Sequence, residues 1–396
     1  MSRKYLIVIS ILILVVALSS CVFFQAGSPP VSLYWHFKDT GLRNACFAYD
    51  SDSDILFIRG HEESYKDSAI AAISIKDKQI LWRKVHPAIL GDGKWVEVYN
   101  GKVYLLECAA KGSPAGLVAL DEKTGEQIWK VPFKNYWVYH GFTISDGYVY
   151  TFGGGQYDPT SIYKVNAEKG EVEWEVPIQG AFGTCPVVDE EYGYVYFGTS
   201  TSPYSTETRY FYALNTDDGN VIWRSEIEHE WVDNFDSIPV IDGDSVYAGT
   251  WFGDIIRFDK RTGKKIWEER LMDKEGFAYQ PGWGGRFWVY KGKLEMVLTS
   301  SIILALNTKD GSVAWQKDGT GVLGALHDLY LDNGRIYVHG LGPNIGCFSA
   351  EDGKQLWIYT PPDSDQRVSG APIVVGDYLV DTTQNGDVYV IKLNEK

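Results

Sequence analysis

Short runs of alternating apolar and polar residues recur along nearly the whole chain from residue 32 onward. VYLLE at Val103, VYFGT at Val195, VYAGT at Val246 and IYVHG at Ile336 form one set. A second set precedes such runs and ends at an Asp/Gly turn: CPVVDE at Cys185, IPVIDGD at Ile238 and APIVVGD at Ala371. A third set joins an alanine, a glycine turn and a tryptophan, as in ALDEKTGEQIW from Ala119, ALNTDDGNVIW from Ala213 and ALNTKDGSVAW from Ala305. RFDKRTGKKIW from Arg257, KVNAEKGEVEW from Lys164 and CFSAEDGKQLW from Cys347 are looser copies, and ISIKDKQILW from Ile73 has lost the glycine. Period-two alternation between tight turns predicts strands, four to a unit, arranged as a meander. A helical period of 3.6 is absent from the chain after its leader, so the expected fold is all-β.

The tryptophans closing the third motif are Trp82, Trp129, Trp174, Trp223, Trp267, Trp315 and Trp357, at spacings of 47, 45, 49, 44, 48 and 42 residues. Four-stranded units repeated at such an interval predict a β-propeller. The ends complete the count. VYVIKLNEK from Val388 carries a third-strand run with no tryptophan strand after it, and SLYWHF, with Trp35, has no third strand before it. Pairing the two ends gives seven internal units and one composite, an eight-bladed ring without free sheet edges at its closure. Seven blades is the alternative if the worn first unit is not a blade.

The eight tryptophans, Trp35 included, read as structural. An indole buries roughly 200 Å² against a neighbouring sheet, alanine leaves it room, and Gly125, Gly263 and Gly311 supply the positive φ of the turn. These residues resemble a known family. AxDxxTGxxxW is the tryptophan-docking motif of the PQQ-like eight-bladed propellers, and Ala119, Asp121, Thr124, Gly125 and Trp129 match it at every fixed position. The resemblance covers nearly all of residues 32–394. It implies one of two functions. In quinoprotein alcohol dehydrogenases the fold holds PQQ with Ca²⁺, under a vicinal disulfide and beside an Asp base. In the BamB lipoprotein family, similar repeats form a subunit of the bacterial outer-membrane protein assembly machinery.

The leader favours the second. Arg3 and Lys4 precede an apolar run over residues 5–18 that ends in Leu18-Ser19-Ser20-Cys21. That run has the length of a signal-peptide core rather than of a membrane span. Its end resembles a lipobox, which implies cleavage before Cys21 and lipidation of its thiol. The expected organisation is therefore a signal peptide at 1–20, a lipidated linker at 21–31 and a propeller at 32–396. The whole chain carries a formal charge of −15, with 37 basic and 52 acidic residues. Loss of Arg3 and Lys4 makes it more negative, which excludes nucleic acid as a partner and leaves the lipid anchor as the only membrane contact. Cys46, Cys108, Cys185 and Cys347 form no CxxC and no adjacent pair, so no metal site and no vicinal disulfide is expected. GTGVLG (319–324) joins two strands and opens no helix, so it is no dinucleotide loop.

Turns between third and fourth strands are short, whereas connections on the opposite face vary in length. These longer segments hold Tyr157, His229, Glu230, Trp231, Asp233, Trp283 and Arg286, and FKNYWVYH (133–140) adds Trp137, Tyr139 and His140. Variable loops on a rigid scaffold are where recognition sits, so these ten residues form the candidate binding face for an extended peptide, a protein or a glycan. The expected function is that of an exported, lipid-anchored, non-catalytic scaffold, monomeric within a complex, with a protein partner in the cell envelope. Its place is the cell membrane or the periplasmic face of the outer membrane. The alternative is a PQQ-dependent oxidoreductase, or a sensor taking a small ligand or glycan in the central funnel.

Overall fold

The computed structural model describes residues 29–394 except 63–66, 87–94, 108–113, 134–140, 154–159, 181, 201–207, 227–233, 236, 273–284, 299–300, 320–322, 324–325, 341 and 363–371. Eight antiparallel sheets follow one another along the chain. Blade 1 consists of the strands Arg43–Asp50, Ile55–His61, Ser68–Ser74 and Gln79–His86. Blades 2 to 7 repeat the plan over residues 96–132, 142–178, 182–226, 240–270, 288–318 and 326–359. Blade 4 carries one extra short strand, Phe182–Gly183, on the upper end of its second strand. The worn first repeat is thus a full blade.

Blade 8 takes three strands from the C-terminus, Ile373–Val375, Tyr378–Thr382 and Val388–Leu393, and its fourth from the N-terminus, Val31–Phe37. That junction pairs Val31 with Leu393 and Phe37 with Val388. The Thr40 amide donates to the Gly386 carbonyl at 2.8 Å, and His36 reaches Asp387 at 3.2 Å. The protein is an eight-bladed β-propeller closed by its own two ends.

First strands of neighbouring blades touch one another, which sets them around the axis, with the fourth strands outermost. The apolar core is split accordingly into eight slabs, each made by two adjacent blades. Second and third strands are buried nearly throughout, as VYLLE and VYFGT require when both faces of a sheet are covered.

The tryptophan contacts differ from expectation in one respect. Ala119 faces Trp129 in register within its own blade, as Ala213 faces Trp223 and Ala305 faces Trp315. The ring, however, leaves that blade and lands on the glycine of the next repeat. A Cβ added at Gly125 would sit 2.6 Å from the Trp82 ring, and one at Gly263 would sit 2.4 Å from Trp223. Glycine is needed there for close approach as well as for its φ of 68° or 70°. The indole N–H then donates to the same turn in six of the blades, as Trp82 does to Glu122 O at 2.8 Å, Trp129 to Glu168 O at 3.2 Å and Trp223 to Lys260 O at 3.1 Å, whereas the Trp357 indole makes no such bond.

A bulge makes this possible. In all eight blades the register of the outer strand shifts at the residue before the tryptophan. Bulges re-aim side chains and blunt exposed sheet edges. The displaced residues include Leu81, Ile128, Ile222, Ile266 and Leu356, which is why these apolar side chains stand exposed around the rim.

Candidate functional site at the axial channel

Period-two alternation at the inner strands points polar residues at the axis. Trp95 and Glu97 lie two apart at the start of blade 2, and Arg286 and Trp288 do the same at the start of blade 6. The Arg286 guanidinium spans the opening, 5.7 Å from the Trp95 ring and 5.8 Å from the Trp288 ring. Both contacts fall within cation–π range. Its backbone is fixed by a parallel bridge to Ile238, whose amide donates to Gly285 O at 3.1 Å. Trp95 rests on Gly141, where a Cβ would come within 2.3 Å of the indole. Trp288 donates to Leu329 O at 3.1 Å and meets Tyr330 edge to face at 5.3 Å.

Glu97 is enclosed by the channel walls. Burial raises its pKa to about 7, against the opposing pull of Arg286 and of a hydrogen bond from the Ile144 backbone. Near neutral pH the carboxyl is therefore only partly ionised, and the guanidinium beside it is only partly compensated. Cys185 lies beneath, its thiol donating to Phe142 O at 3.5 Å, while Thr143 Oγ1 donates to Pro186 O at 2.5 Å. Burial, reinforced by Glu97, raises the thiol to about 12, so it stays protonated and is a poor nucleophile. Blades 2, 3, 4, 6 and 7 all contribute to this cluster.

A second feature lies on the loop-bearing face of blade 5. The turn at 250–253 is closed by Gly253 N–H donating to Thr250 O at 3.1 Å, and it presents Trp251 and Phe252. Phe252 is 38% exposed and Met272, at the end of the same blade, 49%. The buried Asp254 carboxylate, held by Arg270 at 2.6 Å, braces the base of that turn.

Of the residues singled out from sequence, Arg286 is described and lies at the axis. Trp137, Tyr139, His140, Tyr157, His229, Glu230, Trp231, Asp233 and Trp283 lie outside the described residues, as does Cys21. Trp95, Glu97 and Trp288 were missed. Their signal was a charged or aromatic residue at every second position of KWVEVY and GRFWVY. Cys185 and Cys347 are buried free thiols.

The sequence profile of the family described as outer membrane protein assembly factor BamB matches residues 114–277 and 252–395. The BamB of Yersinia pestis is 25% identical over 276 residues, 67% of this chain and 66% of that protein. Among solved structures, BamB from Moraxella catarrhalis superposes with a TM-score of 0.67 at 15% identity, covering 91% of this chain and 99% of that one. Quinohemoprotein alcohol dehydrogenase from Comamonas testosteroni superposes with a TM-score of 0.71 at 13% identity, covering 93% of this chain and 77% of that one. At such identities the superpositions speak for the fold alone. The profile spans well over half of the sequence, and the chain belongs to the outer membrane protein assembly factor BamB family.

Proposed function

We propose that this propeller is an exported, lipid-anchored, non-catalytic scaffold that binds a protein partner in the cell envelope and serves outer-membrane protein assembly. The observation that carries the reading is the pairing of a BamB-family profile with apolar side chains, Phe252 and Met272, held exposed on the loop-bearing face by a braced turn. Exposed aromatic and methionine side chains on a rigid base are the usual anchors of protein recognition. The opposite face is made of tight turns alone.

The quinone reading asks for a donor set that the described axial residues do not fit. Among those residues the chemistry consists of a carboxyl, Glu97, beside the Arg286 guanidinium, and a thiol, Cys185, that stays protonated. Among the described residues no three His, Cys, Asp or Glu side chains come together to hold a Ca²⁺ ion. No reaction step is assigned through PQQ.

The test is capture from solubilised envelope by the lipidated protein, followed by identification of what is bound. An outer-membrane assembly complex is expected, and F252S/M272S should reduce its recovery about tenfold, the loss of some 1.4 kcal/mol, at unchanged melting temperature. Undiminished recovery by the double variant would remove the loop-face assignment. Alcohol oxidation on addition of PQQ, Ca²⁺ and an electron acceptor would overturn the non-catalytic reading.

A further inference from the structure

The turn-bearing face holds a seat that is filled in one seam of the ring and open in another. Between blades 4 and 5, Lys260 enters the seam from the third-to-fourth strand turn. Its ammonium lies 2.8 Å from Asp189 Oδ2, 3.1 Å from Glu191 Oε2 and 4.5 Å from the centre of the Tyr192 ring. The lysine is 3% exposed. Burial works against its charge, yet the two carboxylates hold its pKa above the ordinary value. The seat thus accepts a desolvated cation by combining carboxylates with an aromatic face.

The matching position between blades 2 and 3 is Ala167. The equivalence is fixed by the backbone, since the Lys260 amide donates to Asp244 O at 3.0 Å and the Ala167 amide to Gly147 O at 2.9 Å. With three carbons and the ammonium missing, a cleft of about 230 Å³ opens there. It is lined by Tyr99, Tyr104, Tyr148, Asp146 and Glu168 among others. Ala350 occupies the same position between blades 6 and 7, but there Tyr290 lies across the gap: a Cβ on Gly334 would be 2.5 Å from its hydroxyl. Tyr99, the counterpart of Tyr290, leaves Gly147 with nothing within 4 Å and is itself 41% exposed.

Charge in the open cleft is not balanced internally. Lys102 pairs with Glu168 at 2.5 Å, which leaves the exposed Asp146 carboxylate as the surplus. The ring of Tyr148 already carries Lys164 at 3.9 Å on one face, so it accepts a cation in this setting. Here the carboxylates come from the wall of blade 3, whereas those around Lys260 come from blade 4. Both seats set a carboxylate beside an aromatic face, with Asp146 alone uncompensated in the open one.

We propose that the cleft between blades 2 and 3 binds a lysyl side chain of a partner polypeptide, which takes the place that Lys260 fills internally two seams away. The seat lies on the turn face, so its failure would leave the loop-face reading standing. The probe is a flexible Gly/Lys peptide, titrated calorimetrically against the full chain at physiological ionic strength. Expected results are saturable binding to the native protein, at least tenfold weaker binding to A167K, and at least fivefold weaker binding to D146N. The same peptide with acetylated lysines should not bind. A167K binding as tightly as the native protein, at unchanged melting temperature, would overturn the proposal. If A167K does not fold, D146N and Y99A decide, and undiminished binding by both would overturn it equally. Cadaverine binding as tightly as the peptide would refute the polypeptide source in favour of a free amine.

Discussion

The seams between blades 4 and 5 and between blades 6 and 7 share one docking plan and differ both at the turn position, Lys260 against Ala350, and at the buried residue under the indole. In the first, Trp223 lies on Gly263 and donates to Lys260 O at 3.1 Å; in the second, Trp315 lies on Gly353 and donates to Ala350 O at 3.2 Å. Under Trp223 sits Tyr196, ring centres 5.8 Å apart, its hydroxyl donating to Lys260 O at 2.9 Å. Tyr104, Tyr150, Tyr247 and Tyr337 stand in the same place under their own tryptophans. In blade 6 that place, the third residue of the second strand, is Glu295. Its side chain is wholly buried and neither carboxyl oxygen has a hydrogen-bond partner. Tryptophan and glycine therefore define the joint, and the residue beneath it is free to vary at an energetic cost.

The largest contrast is expected from removing the indoles themselves. W223A should cost about 3–5 kcal/mol in equilibrium denaturation, since Trp223 is only 9% exposed. W315A should cost less, because the Trp315 ring is half-buried and sits over a seam already weakened by Glu295. Equal losses would show that all seams are equivalent despite the difference beneath.

Next in size is the effect of Glu295. Burial, opposed only by Lys293, raises its pKa from the ordinary 4.5 to about 8. The folded chain then binds more protons than the unfolded chain between those values, so stability falls as pH rises through that window. At pH 9, E295Q should be more stable than the native protein by about 1–3 kcal/mol, because the amide leaves no charge buried without a partner. The difference should shrink to near zero below pH 5. A native stability curve already flat from pH 5 to 9 would contradict the assignment.

The smallest effect is that of the tyrosine hydroxyl. Y196F removes one hydrogen bond to Lys260 O while keeping the ring, and should cost about 1 kcal/mol. The indole of Trp223 still serves that carbonyl, so a loss above 2 kcal/mol would mean that the hydroxyl supports more than this bond.

Much of this was legible in the residue order. Alternation, the turn glycines and the spaced tryptophans carry the blade count, and the lone Trp35 carries the closure. That each ring serves the neighbouring sheet was legible too; that it lands on the turn glycine, with the alanine facing it inside its own blade, was not. The bulge before each tryptophan was likewise hidden: Leu81, Ile128 and Ile222 look like ordinary strand residues. At the axis Arg286 could be picked out in a long segment between blades, but its neighbours Glu97 and Trp95 come from the far side of the ring, some 190 residues away. Charge pairs show the same limit. His327 and Asp328 are adjacent in sequence, yet the fully buried pair is His339 with Asp381, at 2.6 Å across the seam of blades 7 and 8.

The shared eighth blade sets an order of events. Val31–Phe37 is made first but has no strand to join until Val388–Leu393 emerges more than 350 residues later. Contacts of such separation are slow to form, so an incomplete chain keeps an open flank for as long as its tail is missing. The finished disc thereby reports that synthesis has passed Leu393: any polypeptide cut short of that strand exposes an unzipped rim that a protease can enter.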